Sequence, residues 1–129
     1  MYSLCSDKLL VISVCYEADS FLGQLIDALD ESGARQETYV LMISDHGEDC
    51  TEHRQNGKNN MYDSGSRVAM MLSGPGITAG QVIHTLTSLN DIFPTIIDMA
   101  GLAIPEGLAG SSLLPRKNAS NSLLQPCMI

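Results

Sequence analysis

The longest hydrophobic pattern in this chain lies near its start and has helical spacing. Apolar residues recur mainly at every third or fourth position, which predicts an amphipathic helix over about residues 8–32 with its apolar stripe packed in a core. The positions at this spacing are Leu9, Ile12, Tyr16, Asp19, Leu22, Leu25, Ile26 and Leu29, of which Asp19 is the charged one. Gly33 follows the stripe directly and is typical of a helix C-terminal cap.

A second pattern, the continuous apolar run over residues 39–43, predicts a strand. An unbroken run of this kind indicates burial on both faces, as in a parallel sheet. Because the helix and the strand follow each other across a short polar turn, they are typical of the helix–strand half of a parallel unit. The two patterns together favour an α/β domain.

The stretch after the strand, residues 48–62, is polar, contains glycine and lacks apolar periodicity. Its place directly after a strand is typical of a functional loop. A second apolar run over residues 67–72 ends at the turn signal Ser73-Gly74-Pro75-Gly76, and residues 81–87 predict a short extended piece.

A second helix is predicted after this extended piece. Ser88 or Asn90 is expected to cap it, with Pro94 in its first turn and Gly101 at its end. Its predicted buried side comprises Ile96, Ile97, Met99 and Ala100. From residue 103 onward the chain is predicted to be loop-like.

Length and composition limit the function classes. The 129 residues allow one domain, and 44% hydrophobic with 17% charged residues is typical of a globular chain. The formal net charge of -8 disfavours nucleic acid as a partner, because phosphate contacts need a basic face. The four cysteines include no Cys-x-x-Cys pair, so a structural zinc site is not expected.

Membrane insertion and export are not expected from the pattern either. No stretch reaches the roughly 18 consecutive apolar residues needed to cross a bilayer. The short apolar run near the start is flanked by acidic residues and lacks a small-residue cleavage site, so no signal peptide is expected in this chain.

Asp45 and His46 stand where the apolar run of the predicted strand stops. In open α/β sheets, ligands bind just beyond the carboxyl ends of the strands, so both side chains are expected to project into a site. They offer an oxygen and a nitrogen, which suits a divalent metal ion.

A series of short motifs runs from this pair to residue 115. They are Ser44-Asp45-His46-Gly47-Glu48, Glu52-His53, Lys58, Met61-Tyr62, Ser66-Arg67-Val68, Ser73-Gly74-Pro75-Gly76-Ile77, Ala79-Gly80, Asp91-Ile92-Phe93-Pro94-Thr95, Met99-Ala100-Gly101-Leu102 and Gly110-Ser111-Ser112-Leu113-Leu114-Pro115. This ordered set resembles the sulfatase family, within the alkaline phosphatase superfamily, over about residues 11–115. The resemblance implies an α/β fold with a mixed sheet flanked by helices.

The resemblance also implies a function and its residues. It implies a hydrolase of the arylsulfatase type that cleaves sulfate esters, on a sulfated sugar or an aryl sulfate, with one calcium ion. Asp45 and His46 correspond to the family's downstream metal ligands, Lys58 to the lysine that contacts the sulfate and assists the leaving oxygen, and His53 to an active-site histidine. The implied location is lysosomal or secreted.

Two features of the family are not found in these 129 residues. The family makes its nucleophile from the cysteine of a Cys-x-Pro-x-Arg motif; Cys50 and Arg54 have that spacing, but Glu52 stands in place of the proline. A further acidic metal pair is also missing. We therefore expect residues 1–115 to be a partial sulfatase catalytic domain, with residues 116–129 as an irregular tail.

From this incompleteness we expect an unfinished calcium site, inactivity of the chain alone and poor stability in isolation, because strand edges would be exposed. Two alternatives stay open. One is a two-metal phosphoesterase of the same superfamily, in which Asp–His pairs ligate zinc. The other is a non-catalytic truncated sulfatase-like protein.

Overall fold

The computed structural model describes residues 3–50, 52–54 and 56–114. The chain divides into two compact units, Met1–Gly74 and Pro75–Ile129. The predicted irregular tail, residues 116–129, lies outside the described residues.

The first helix, α1 (Ser3–Glu31), confirms the helical pattern. It ends as the sequence predicts, because Gly33 adopts the left-handed conformation with φ of 73° and its N–H donates to the Asp30 carbonyl at 3.1 Å. Only glycine reaches this conformation without a steric cost from a Cβ atom.

The expectation that the whole α1 stripe packs in a core is wrong. Leu22, Ile26 and Leu29 are half-buried, whereas Leu9 and Tyr16 are 60% and 76% exposed. A helix of 29 residues is about 44 Å long, while each four-residue strand of the same unit spans about 13 Å. The C-terminal part of α1 therefore finds neighbours that its N-terminal part lacks.

The expectation that no segment is long and apolar enough to cross a bilayer is also wrong on length and composition. The 24-residue stretch Lys8–Glu31 within α1 meets that criterion, because it contains an 18-residue window with a mean hydropathy of 1.4. The same criterion is met by signal sequences and by domain helices. Glu17, Asp19 and Asp27 lie within the stretch, and each is costly in a bilayer.

The predicted strand is β1 (Val40–Ile43), which a 3₁₀ turn (Ala34–Glu37) separates from α1. It pairs with β4 (Met70–Ser73) in an antiparallel ladder that places Val40 opposite Ser73 and Ile43 opposite Met70. The parallel arrangement expected from the helix–strand order is therefore wrong for this pair. The Arg35 guanidinium donates to the Ser73 hydroxyl at 2.9 Å and ties the turn to β4.

Burial of β1 on both faces is also not observed. Val40, Leu41 and Met42 are half-buried, and Ile43 is 41% exposed. Among the described residues, β1 and β4 form a two-stranded sheet, which is too narrow to cover both faces of either strand.

The polar stretch after β1 has more structure than its composition indicates. A second antiparallel pair joins β2 (Asp49–Cys50) to β3 (Asn56–Gly57), with the 3₁₀ turn Glu52–Arg54 between them. The short helix α2 (Asp63–Ser66) follows β3.

In the second unit, the predicted extended piece over residues 81–87 forms no strand. The predicted cap is confirmed: the Ser88 hydroxyl accepts from the Asn90 N–H at 3.0 Å, and the Asp91 carboxylate accepts from the Ser88 N–H at 2.8 Å. This capping box precedes the 3₁₀ turn Leu89–Asp91 and helix α3 (Ile92–Met99).

The buried side of α3 differs from the predicted one. Of the predicted residues, Ile97 and Met99 are half-buried, whereas Ile96 and Ala100 are exposed. Pro94 and Thr95 are fully buried instead. The Thr95 hydroxyl donates to the Asp91 carbonyl at 2.5 Å and accepts from the Leu113 N–H at 3.0 Å. These bonds allow a threonine to take the interior position, because its polar atom is satisfied there.

Candidate functional site

The site begins where β1 ends. The Ser44 hydroxyl donates to the His46 carbonyl at 2.7 Å and closes a turn directly after the strand. From this turn the Asp45 side chain projects into solvent with 85% exposure, and the His46 side chain is 34% exposed. The structure therefore places both predicted metal ligands at the strand end that the sequence indicated.

The hydrogen bonds of His46 decide which ring nitrogen carries the proton. Nδ1 lies 2.8 Å from the Gly47 carbonyl oxygen, which can only accept, so Nδ1 carries the hydrogen. Nε2 therefore presents a lone pair, and the Lys58 ammonium lies 2.6 Å from it and donates to it. Lys58 comes from a segment twelve residues further along the chain, so the fold brings these two predicted site residues into contact.

Asp45 joins the same group of atoms. Its Oδ1 lies 3.5 Å from His46 Nε2. Two ligands at right angles around a calcium ion are separated by about 3.4 Å, since each lies about 2.4 Å from the ion. The carboxylate oxygen and the imidazole lone pair therefore fit two ligand positions of one cation.

The ligand set in the described residues stops at this pair. No group of three or more His, Cys, Asp and Glu side chains that could hold a metal ion is found in the described part of the chain. Calcium takes about six to eight oxygen ligands, so Asp45 and His46 could supply only part of such a coordination shell.

The segment that carries Lys58 is held by a residue that sequence reasoning missed. Asp49 is buried, with 2% exposure, and its carboxylate accepts from the Asn60 amide and the Ser64 hydroxyl. The hydrogen bond from Ser64 has the largest effect on the pKa of Asp49 and, together with the one from Asn60, holds that pKa below its ordinary value. Burial raises the pKa, and the charge of a protonated His53 lowers it. Asp49 lies in a polar stretch, and no local pattern marks it as buried.

Gly47 allows α2 to approach the turn after β1. Its N–H donates to the Gly65 carbonyl at 2.9 Å. A Cβ at this position would lie 2.1 Å from the Ser64 carbonyl oxygen and 2.9 Å from that of Arg67. The backbones of the two segments therefore meet at a distance that only glycine permits.

His53 has a different environment from the other predicted site residues. Its ring stacks on Tyr62, with the ring centroids 3.9 Å apart and the planes inclined by 15°. Both His53 and Arg54 have positive φ, 54° and 59°, which is costly for residues with a Cβ. The structure thus joins Asp45, His46 and Lys58, and it orients His53 against Tyr62 within the same unit.

Comparison with known proteins identifies relatives over most of the chain. The sulfatase family model matches residues 13–102. Arylsulfatase K of Xenopus laevis is 44% identical over 110 residues, which cover 85% of this chain and 20% of the relative. Arylsulfatase K of Homo sapiens is 45% identical over 103 residues, covering 80% and 19% respectively. The chain thus spans about a fifth of the length of these relatives.

Solved structures agree with these matches. A phosphonate monoester hydrolase from Silicibacter pomeroyi superposes with a TM-score of 0.72 and 33% identity, over 75% of this chain and 19% of that chain. BT4656, in complex with its substrate D-glucosamine-2-N,6-O-disulfate, superposes with a TM-score of 0.63 and 30% identity, over 74% and 19%. These likenesses confirm the predicted α/β fold class of alkaline phosphatase type.

Proposed function

This chain belongs to the sulfatase family, and from that premise we propose that it carries the downstream metal pair and the sulfate-binding lysine of an arylsulfatase-type hydrolase. The observation that supports this proposal is the convergence of Asp45 Oδ1, His46 Nε2 and Lys58 Nζ at the end of β1. A carboxylate oxygen, an imidazole lone pair and an ammonium are the groups that a site for a cation and an anion requires.

Lys58 is proposed to bind the sulfate group. A sulfate ester carries its negative charge on the nonbridging oxygens, and an ammonium can donate hydrogen bonds to them. The same ammonium is suited to stabilise the leaving oxygen as the ester bond breaks. Because Lys58 is exposed, its flexible stem can turn from His46 towards a substrate.

His53 is proposed as a second catalytic side chain. Stacking on Tyr62 fixes the plane of its ring while its edge stays exposed to solvent. A histidine held in this way can hold or donate a proton near the leaving group.

Asp45 and His46 are proposed to hold a divalent cation. Members of the sulfatase family generally use a divalent metal, and calcium is the ion that we propose here. When bound, a calcium ion neutralises charge on the sulfate oxygens. The ligands that complete its coordination are proposed to lie in other parts of a longer sulfatase chain, with residues 1–115 as one part of that catalytic domain.

The proposed substrate class is a sulfated sugar or an aryl sulfate. The structural relative BT4656 binds a sulfated glucosamine, which supports a sulfated sugar as the substrate of this chain. The proposed location is lysosomal or secreted, as for the family. The family match begins at residue 13, inside α1, which supports a domain helix rather than a membrane span for most of that helix.

A two-metal phosphoesterase is a second candidate, supported by the likeness to the phosphonate monoester hydrolase. The separation of Asp45 Oδ1 and His46 Nε2 also fits zinc, whose tetrahedral ligands lie about 3.3 Å apart. The bound metal distinguishes the two candidates: calcium is expected for the sulfatase and zinc for the phosphoesterase.

Titration with inorganic sulfate tests the proposal. We expect the 129-residue chain to bind sulfate more tightly in the presence of calcium, and the Lys58→Met variant to lose most of that binding. Lys8→Met is the matched control, because Lys8 is an exposed lysine on α1. Equal sulfate binding by the wild type and by Lys58→Met would contradict the proposed role of Lys58.

A further inference from the structure

Asp49 is a buried carboxylate in a part of the chain that has little apolar interior. Among the described residues, Asp49 and Thr95 are the buried polar ones, and Pro94 is the one apolar side chain that is fully buried. Taking an ionised carboxylate out of water is costly unless hydrogen bonds replace its hydration. Both oxygens of Asp49 are satisfied: Oδ2 accepts from the Asn60 amide and Oδ1 from the Ser64 hydroxyl.

Asp49 contacts the chain on both sides of Lys58. In the β2–β3 ladder it pairs with Gly57, the residue directly before Lys58. Its carboxylate binds Asn60, two residues after Lys58. The backbone that carries Lys58 is therefore held at both ends by a single residue, which leaves little freedom for the base of the lysine side chain.

Asp49 also lies close in sequence to His46, on the same connection that leaves β1. Its second hydrogen bond, from Ser64, ties α2 to this connection, next to the contact between Gly47 and Gly65. His46 and the Lys58 segment are thus held against each other by contacts on either side of the His46–Lys58 hydrogen bond.

A carboxylate is well suited to this position because it has only acceptors and can serve two donors at once. Both polar atoms of the Asn60 side chain are also bonded: its amide nitrogen donates to Asp49, and its Oδ1 accepts from the Tyr62 N–H at 2.9 Å. The same network therefore reaches Tyr62, on which His53 stacks.

We propose that Asp49 is a positioning residue, which through Gly57, Asn60 and Ser64 holds the backbone of Lys58 beside His46, so that the ammonium can turn from His46 to the sulfate group. This inference rests on the proposed function, because it assigns Asp49 a role in the site of Asp45, His46 and Lys58. Asp49 acts through Lys58 and does not touch the substrate.

Binding of two ligands, measured on the same 129-residue chain, tests this role. In Asp49→Ala, we expect inorganic sulfate to bind about tenfold more weakly, as for the loss of one hydrogen bond to a charged group. Calcium binding is expected to be kept or to become up to a fewfold tighter, because Asp45 and His46 are retained and a released Lys58 no longer competes for His46 Nε2. Equal loss of both ligands would mean general unfolding and would overturn a specific positioning role.

A double variant that exchanges the hydrogen-bond donor and acceptor between positions 49 and 60 tests whether sulfate binding can be rescued. Asp49→Asn alone leaves too few acceptors for both partners, so weaker sulfate binding is expected. Combining it with Asn60→Asp restores one donor and one acceptor between the same two positions, and sulfate binding is expected to recover most of its strength. Asp98→Asn is the matched control, because Asp98 accepts from Ser112 in the second unit.

Nitrogen NMR of His46 separates this inference from the proposed function. The Nε2 signal reports the Lys58 contact directly, so Asp49→Ala is expected to shift it as Lys58→Met does. If Lys58→Met loses sulfate but Asp49→Ala changes neither sulfate binding nor the signal, the positioning role is wrong and the proposed function stands. If Lys58→Met keeps sulfate binding, the proposed function of Lys58 fails. The His46 Nε2 signal of Asp49→Ala then still tests the positioning role: a shift like that of Lys58→Met supports it, and an unchanged signal overturns it.

Discussion

The Lys58 ammonium lies 2.6 Å from Nε2 of His46 and takes the lone pair with which the imidazole would bind a metal ion. The two residues belong to different segments of the chain, joined by the β2–β3 ladder. Since one lone pair cannot serve two cations, a metal ion that binds His46 must displace Lys58. Displacement of Lys58 from His46 would free its ammonium to bind an anionic substrate next to the metal ion.

The first prediction follows from this competition. In Lys58→Met, we expect calcium to bind a fewfold more tightly, because a competing and repelling cation has been removed. Isothermal titration of calcium, without sulfate, measures the effect. Lys8→Met should leave calcium binding unchanged; weaker calcium binding in Lys58→Met would show that Lys58 does not compete with the metal.

The second prediction concerns the metal pair. Asp45→Asn removes a charge and His46→Phe removes the nitrogen ligand, so we expect each to weaken calcium binding by at least about tenfold. Glu48→Gln is the matched control, because Glu48 is an exposed acid three residues from Asp45. A similar loss in Glu48→Gln would mean that overall negative charge attracts calcium.

The third prediction concerns the close approach at Gly47. In Gly47→Ala, the new Cβ would meet the Ser64 and Arg67 carbonyl oxygens at 2.1 and 2.9 Å, so the two backbones must separate. We expect a loss of about 1–3 kcal/mol in the free energy of local opening, measured by hydrogen exchange of the residue 47 amide.

Gly23→Ala is expected to stabilise the protein, in contrast to Gly47→Ala. Gly23 lies within α1, and nothing stands within 4 Å of an added Cβ. We expect this variant to stabilise α1 by about 0.5–1 kcal/mol, seen as higher helicity by circular dichroism. Equal effects of the two substitutions would contradict the contact at Gly47.

The fourth prediction concerns acid. The pKa of Asp49 lies below its ordinary value of 3.8 because Ser64 and Asn60 donate hydrogen bonds to the ionised form. Below that value the unfolded state takes up a proton before the folded state does, so folding is penalised. The stabilisation by Asp49 is therefore complete above pH 3.8 and is lost as the pH falls through the lower pKa of the folded state.

Hydrogen exchange of the Gly47 amide, corrected for the intrinsic pH dependence, measures this effect. We expect the protection in wild type to fall below pH 3.8, whereas in Asp49→Asn it should be lower at neutral pH and change less with acid. The same acid dependence in both proteins would assign the effect to other carboxylates.

The fifth prediction is poor stability of the isolated chain. Large apolar side chains of α1 such as Leu10 and Phe21 are 64% and 69% exposed. We expect broad thermal unfolding and binding of an apolar dye at neutral pH. A sharp transition of the monomer near about 45–65 °C would contradict this prediction.

Parts of this protein that depend on near neighbours in the chain were predictable from the sequence. The caps at Gly33 and Ser88 depend on residues within a few positions, and the structure confirms both. The strand after Tyr39 and the position of Asp45 and His46 at its end also follow from a local pattern. The ordered motifs indicated the sulfatase family, which the family match confirms.

The tertiary structure decided what depends on distant segments. An apolar run does not specify which strand pairs with it, so the antiparallel partner Met70–Ser73 and the partial exposure of β1 were not predictable. Burial of Asp49 and the hydrogen bond between His46 and Lys58 arise because the β2–β3 ladder brings separate segments together. Local propensity acts over a few residues, whereas burial and ligand geometry are set by packing between segments that the chain pattern does not relate.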